Sequence, residues 1–379
     1  MHHGMDTEGT DDTSEWAAIE GALPDGWKEL AKTYGLIRPQ PPQLKTKVTD
    51  IGQVLRLIFY HVAWNVALLT TTGAFAAANL LELSSVALHK WMIKIGPYLA
   101  ELSARMAKED KMFAPARWAG YDVKAADATT VTRPGAMGTT ARVHKALRLS
   151  DMRVTQVDVT DEKGGETLRR FDVQEGELWI LDRIYANPPG VAHATDRKGA
   201  VVVRYNRGAL PLYDADGRPL DVWSKLTQLH NPLQMSEWEA WVRPAQGESI
   251  RGRLCAIRLP ADKAEEARVR LRREQGSELT EESLAMADFV VLFTTVPHER
   301  LDTRLILELY RLRWQIELEF KRNKSITGLD KLPNFRQDTI FSWLQAKVLL
   351  RQIMRRLAAP RNNSSSEPSD SLPEHAQAA

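Results

Sequence analysis

At 379 residues, 43% hydrophobic and 26% charged, the chain has the composition of an ordinary globular protein of two or three units, which excludes a fibrous or wholly disordered class. The formal charge of +2 conceals an asymmetry: seven acidic and no basic residues lie in the first 25 positions and three acidic residues in the last 18, which leaves +12 between them, a surplus suited to a polyanion such as nucleic acid. The single cysteine, Cys255, excludes an intramolecular disulfide and a cysteine-rich zinc site, and it fits a reducing compartment, the cytoplasm.

The acidic, polar N-terminus has no export signal, so residues 1–24 are expected to be a flexible arm, with Pro39, Pro41 and Pro42 marking a linker. Helical patterning spans Val48 to Lys108. Its most apolar stretch, Ile58 to Ala87, is interrupted by His61, Asn65, Asn79 and Glu82, so it predicts buried helices and no membrane contact. Two short helices, Ala74 to Leu83 and Val86 to Ile95, are separated by Ser84 and Ser85, with Ser84 placed as an N-cap. That spacing permits a DNA-binding helix-turn-helix and equally a pair of packed bundle helices.

From Ala119 the texture changes to strands: Val123 to Val131, Lys145 to Leu149, Val154 to Val159, Leu178 to Asp182 and Ala200 to Tyr205. Residues 206–260 are expected to be an all-β insertion of short strands broken by Pro and Gly. A charged helix, Asp262 to Glu274, an apolar strand, Phe289 to Thr294, one continuous helix from Leu301 to Asn323 and a last helix, Ile340 to Leu357, follow. The Ser/Asn/Pro-rich end is expected to be disordered.

The helix over Leu301 to Asn323 carries the most information. At 100° per residue, Leu305, Leu309, Leu312, Ile316 and Phe320 form one apolar stripe. Tyr310, Arg313, Glu317 and Lys324 fall together on its flank, while Glu308, Arg311, Gln315, Glu319 and Arg322 point to solvent. Arg313 and Glu317 are also an i,i+4 pair, the spacing of a plain helical ion-pair ladder. On the last helix Lys347, Arg351, Arg355 and Arg356 form a basic run, read as a solvated face with contact to DNA or a partner chain as the alternative. Trp223, Trp238 and Trp241 in the insertion are read as core in preference to base-stacking groups.

The spacing Tyr310, two residues, Arg313, three residues, Glu317, six residues, Lys324 resembles the signature of the DDE-type insertion-sequence transposases, in particular the subgroup named for Tyr-Arg-Glu-Lys. Ala126-Asp127-Ala128-Thr129-Thr130 is similar to that family's first-aspartate strand, with Arg142-Val143-His144 downstream where a basic patch is common. Trp179-Ile180-Leu181-Asp182-Arg183 resembles the second-aspartate strand, and Val290 to Pro297 the strand before the glutamate helix. Two departures occur. Ala128 stands at a usual glycine and requires an ordinary φ, and Ile184 replaces the glycine of a common Asp-Arg-Gly-Tyr sequence.

The resemblance implies an α/β fold: an RNase H-like catalytic core with a β-rich insertion, preceded by a helical N-terminal region. Expected units are an acidic arm and linker over 1–45, a helical DNA-binding region over 46–117, core segments over 118–206 and 286–335, the insertion over 207–285, a C-terminal helix over 336–360 and a tail over 361–379. Asp127, Asp182 and Glu317 are the implied catalytic residues and ligands of Mg²⁺, for which Mn²⁺ can substitute. Hard oxygen donors of this kind suit two-metal phosphoryl transfer. Tyr310, Arg313 and Lys324 are the implied DNA-binding residues, gripping phosphates beside the scissile bond. Double-stranded DNA, comprising transposon ends and target, is the implied partner of a homodimer located in the cytoplasm on the nucleoid. A retired transposase that only binds DNA and a host metal-dependent nuclease are the alternative functions.

Overall fold

The computed structural model describes residues 12–37, 48–109, 118–275, 280–332 and 337–358. The proline linker and the C-terminal tail expected from the sequence lie outside these residues. Six helices open the described chain: α1 (Asp12–Gly21), α2 (Trp27–Thr33), α3 (Ile51–Trp64), α4 (Leu68–Ala77), α5 (Ser85–Lys94) and α6 (Gly96–Glu109). The expected flexible arm is therefore helical over most of residues 12–33. The reason is apolar burial: Leu23, Trp27, Leu30 and Ala31 enter the same core as α3 and α6, and the Trp16 ring lies 6.4 Å from that of Phe59. Ser84 caps α5 as its position predicts, accepting from Ala87 N at 3.1 Å.

A mixed sheet follows. Its strands are β1 (Asp122–Val131), β2 (Ala141–Arg148), β3 (Arg153–Asp161), β4 (Glu177–Leu181), β5 (Ala200–Arg204), β6 (Leu212–Tyr213), β7 (Met235–Val242), β8 (Ile250–Arg258) and β9 (Phe289–Thr294). They form one nine-stranded sheet in the order β3-β2-β1-β4-β5-β9-β8-β7-β6. β4 runs parallel to both β1 and β5, and the remaining pairings are antiparallel. The expected all-β insertion thus extends the core sheet through β8 on β9. Residues 207–285 also contain the helices α8 (Val222–Leu226), α9 (Ala261–Gln275) and α10 (Glu281–Met286), while α7 (Pro188–Thr195) lies before them, between β4 and β5.

The chain then forms α11 (Thr303–Arg311), α12 (Trp314–Thr327) and α13 (Gln337–Ala358). The single helix expected over Leu301 to Asn323 is broken at Leu312 and Arg313, where Arg313 N bonds Tyr310 O, Gln315 N bonds Leu312 O and Ile316 N bonds Arg313 O. These three-residue steps are a 3₁₀ tightening. It rotates the two halves so that they serve different cores: Ile306, Leu307 and Leu309 pack with Leu292 and Val296, whereas Ile316 and Phe320 pack with Ala125, Val143 and Leu147. Leu305, on the predicted apolar stripe, is consequently 45% exposed. No helix of the described residues is long and apolar enough to cross a membrane.

Two predicted solvent positions turn inward. Glu319 is buried, where Asn323 Nδ2 donates to its Oε1 at 2.7 Å and Arg351 stands 3.8 Å from its Oε2. The basic run on α13 is likewise structural over these contacts. Buried Lys347 donates to Thr327 O and Gly328 O, both at 2.6 Å, and so closes the C-terminus of α12, whose αL cap is Gly328 at φ +58°. Arg355 donates to Asp151 O and Arg356 to Ala22 O and Met106 O. Thr327 O, Gly328 O, Ala22 O and Met106 O lie at helix C-termini, where carbonyls lack intrahelical amides and the dipole favours a cation, and Asp151 O lies in the β2–β3 turn.

Candidate active site

The site is set by the pairing of β1 with β4. Lys124 on β1 and Glu177 on β4 form an ion pair with both side chains almost fully buried. The Glu177 carboxylate also accepts from Trp179 Nε1 and Gln174 N, each at 3.0 Å. These bonds satisfy the buried charge and fix a register in which Ala126 lies opposite Leu181. The next residue on each strand is an aspartate, so Asp127 and Asp182 stand side by side where β4 ends. Alternation along the strand gives Asp127 the face of Ala125, which is the face covered by Ile316 and Phe320 of α12.

Local hydrogen bonds orient both carboxylates. Asp127 Oδ1 accepts from Ala128 N at 2.8 Å. Asp182 Oδ1 accepts from Arg183 N at 2.6 Å and caps the 3₁₀ turn Arg183–Tyr185. Neither Ala128 nor Ile184 has a positive φ, so the absent glycines leave the backbone around both aspartates unstrained. Burial is the largest influence on the Asp127 carboxyl and pushes it up to about 6; Glu166 and Asp182 add to the rise, while the Ala128 amide and Arg313 oppose it.

The helix pair supplies the remaining groups. Arg313, at the α11–α12 break, donates from Nη2 to Glu317 Oε1 at 2.5 Å, and its guanidinium lies 6.0 Å from the Tyr310 ring centre. The Tyr310 hydroxyl is held well above the usual phenol range, first by burial and then by Asp182. Tyr310, Arg313, Asp127 and Asp182 therefore share one electrostatic neighbourhood. Glu317 is on the same helix face but its half-exposed carboxylate is engaged by Arg313, the i,i+4 ion pair that the spacing also allowed. Lys324, two turns further along α12, is partly exposed. Sequence reasoning missed Glu166, which pairs with Arg142 at 3.0 Å and sits near Asp182. No spacing singles it out, because it comes from a loop after Gly164 and Gly165.

Among the described residues no three His, Cys, Asp or Glu side chains form a ready metal cage. The donors nevertheless fit a hard divalent cation. They are carboxylate oxygens, and a bound cation would offset the burial that chiefly lifts Asp127 and the lesser repulsion from its acidic neighbours.

Residues 118–353 match the model of the transposase DDE domain, and the chain belongs to that family. It is a metal-dependent DNA transposase of the DDE type found in insertion sequences. It is similar to the putative transposase InsL for insertion sequence element IS186A of Escherichia coli (strain K12), with 26% identity over 313 residues covering 80% of this chain and 84% of the relative. The transposase for insertion sequence element IS421 of Escherichia coli is 27% identical over 314 residues, with the same shares covered. A piggyBac transposase synaptic complex with hairpin DNA, solved by cryo-electron microscopy, superposes with a TM-score of 0.40 at 7% identity, over 91% of this chain and 80% of that one, a loose likeness.

Proposed function

We propose that this transposase cuts DNA at the ends of an insertion sequence and joins them to target DNA through Asp127, Asp182 and Glu317, which hold Mg²⁺. The observation that carries the assignment is the β1–β4 register, which sets Asp127 beside Asp182 beneath the helix that bears Glu317. Divalent metal in such a site supplies charge neutralisation and activation of the attacking oxygen. The chain's own residues do the rest. Asp127 and Asp182 are held rigid by backbone amides. Tyr310, Arg313 and Lys324 present a cationic, partly apolar flank to the phosphates of the bound end. When a phosphate takes the Arg313 guanidinium, Glu317 is released toward the aspartates.

The Tyr310, Arg313, Glu317 and Lys324 spacing supports membership of the Tyr-Arg-Glu-Lys subgroup. An aspartate within a strand, another just past a strand end and a glutamate on a later helix support an RNase H-like core over residues 118–206 and 286–335. Residues 207–285 are the insertion, 46–117 the DNA-binding helical region and 336–360 the helix that packs the core from the C-terminal side. Two ends must be brought together for joining, which supports a homodimer on DNA, acting on the nucleoid in the cytoplasm.

Glu317→Ala tests the assignment. Cleavage of a duplex carrying the element's end should fall to background while gel-shift affinity for that duplex stays within about threefold, an effect below 1 kcal/mol. A variant that keeps cutting removes Glu317 from the chemistry. Loss of both cleavage and fold would make it a structural ion pair.

A further inference from the structure

A cavity of about 20 Å³ lies between β2, the start of β3, α12 and α13, and its polar lining is Lys145, Arg153, Glu319, Arg351, Gln352 and Arg355. The reaction just described uses none of these residues. Lys145 stands directly opposite Asp127 in the β1–β2 register and so shares its face of the sheet. None of Asp127, Asp182 and Glu317 lines the cavity. Glu319 lies about 200° round α12 from Glu317, so the cavity and the Glu317 carboxylate open on different sides of that helix.

Four cations face one carboxylate in this space, a surplus of three positive charges. The carboxylate is already committed, since Glu319 Oε1 accepts from Asn323 Nδ2 at 2.7 Å and its Oε2 stands 3.8 Å from Arg351 Nη2. Lys145, at the floor, is 1% exposed. Among the described residues its ammonium meets no hydrogen-bond acceptor, only the Phe320 ring, centred 5.3 Å away. Burial pulls it down to about 8, against the attraction of Glu319. Two further atoms of the lining residues are buried without a partner: Arg351 Nε, a donor, and Gln352 Oε1, an acceptor. A single water could bridge such atoms, but it would leave the surplus charge in place.

We propose that this cavity is an oxyanion subsite that takes one phosphate group, seating one oxygen against Lys145 Nζ and Arg351 Nε while Arg153 and Arg355 at the rim hold the others. The volume in its depth admits one oxygen-sized atom, and the rim arginines are only part-buried. Each of them has donors to spare: Arg153 approaches Asp151 with Nε at 3.6 Å and Arg355 reaches Asp151 O with Nη2 at 2.9 Å. The Asp151 carboxylate is itself bound by Arg148 at 2.5 Å. A hydrogen phosphate would in addition donate to Gln352 Oε1. The phosphate comes either from a DNA backbone or from solution.

Titration of the metal-free full chain with inorganic phosphate, at an ionic strength held constant with chloride, tests the subsite without cleavage or the catalytic carboxylates; ³¹P resonance and melting temperature report binding. The parent should bind phosphate saturably, and Lys145→Met and Arg351→Gln should each weaken binding about tenfold or more, the worth of one charge-assisted hydrogen bond. In phosphate-free buffer Lys145→Met should melt no lower than the parent, because it removes a poorly compensated buried charge. No saturable binding by the parent, or equal binding by the parent and Lys145→Met, overturns the proposal. Should Lys145→Met fold poorly, Arg153→Gln at the rim carries the same test, and parent-like binding by that variant overturns it. A gel shift with the element's end duplex separates the two sources, and this arm alone rests on the proposed DNA-end activity. If Lys145→Met lowers the salt slope of duplex binding by about 1, the phosphate belongs to the backbone. An unchanged slope in a variant that has lost inorganic phosphate assigns the subsite to the free ion.

Discussion

Replacing Lys124 by Met probes the joint on which the site is built. Lys124 is fully buried and Glu177 nearly so. After the substitution the Glu177 carboxylate keeps its bonds from Trp179 Nε1 and Gln174 N but loses its only buried counter-charge in the ion pair. Removing one partner of a buried pair costs about 3–5 kcal/mol. With an unfolding entropy of about 2 cal/mol/K per residue, over a chain of this length the loss corresponds to a fall of about 4–6 °C in melting temperature. Urea denaturation followed by tryptophan fluorescence and a calorimetric melt measure both quantities. The double variant Lys124→Met, Glu177→Gln should recover a large part of the loss, because a neutral amide oxygen still accepts from the indole and the amide without an unpaired charge. A single variant within about 1 kcal/mol of the parent, or a double variant less stable than the single, would refute the view that this pair sets the β1–β4 register.

Asp127 gives a pH-dependent test. Its carboxyl is raised to about 6, mainly by burial, so the folded metal-free chain binds a proton more readily than the unfolded chain, and Asp127 subtracts from stability as pH rises through 6. Asp127→Asn should therefore stabilise the metal-free protein at pH 8 by up to about 3 kcal/mol, the gain shrinking as pH falls from 6 toward 4; a gain independent of pH in urea titrations would contradict this. Lys347→Met leaves Thr327 O and Gly328 O without their donor and should cost about 1–3 kcal/mol, with unchanged chemical denaturation as the contrary result. Arg313→Ala should lower the salt slope of DNA-end binding by about 1; an unaltered slope in filter-binding measurements removes Arg313 from the phosphate contacts.

The aspartate strands were legible because a strand advertises itself locally. Asp182 sits at the end of a short apolar run, Leu178 to Leu181, and Asp127 lies within the strand pattern of Val123 to Val131; β1 and β4 form where those stretches lie. The Ser84 cap was legible for the same reason, since one side chain and one amide three residues on decide it. What escaped depends on contacts distant in sequence. The break at Leu312 and Arg313 arises because α11 and α12 bury against different clusters, which no single helical projection contains. Glu319 and Lys347 read as solvent-facing charges, yet Asn323 and Arg351 meet the first and two carbonyls at the end of α12 meet the second. Residues 12–33 looked like an arm because their acidic surface dominates the composition, while the few apolar groups that anchor them, Leu23, Trp27 and Leu30, find partners on α3 and α6. Glu166 was invisible for a related reason: its significance lies in Arg142 and Asp182, which are 24 and 16 positions away in the chain.

We propose that three carboxylates, on β1, at the end of β4 and on α12, perform metal-dependent strand cleavage. The most direct measurement incubates the purified chain with DNA containing its own gene and flanks, in Mg²⁺, in Mn²⁺ and in chelator, beside Asp127→Ala, Asp182→Ala and Glu317→Ala, with breaks mapped to the nucleotide. Metal-dependent breaks at the element's boundaries, absent from all three variants, are the predicted result. Boundary cleavage that persists in any one of the folded variants would contradict the assignment.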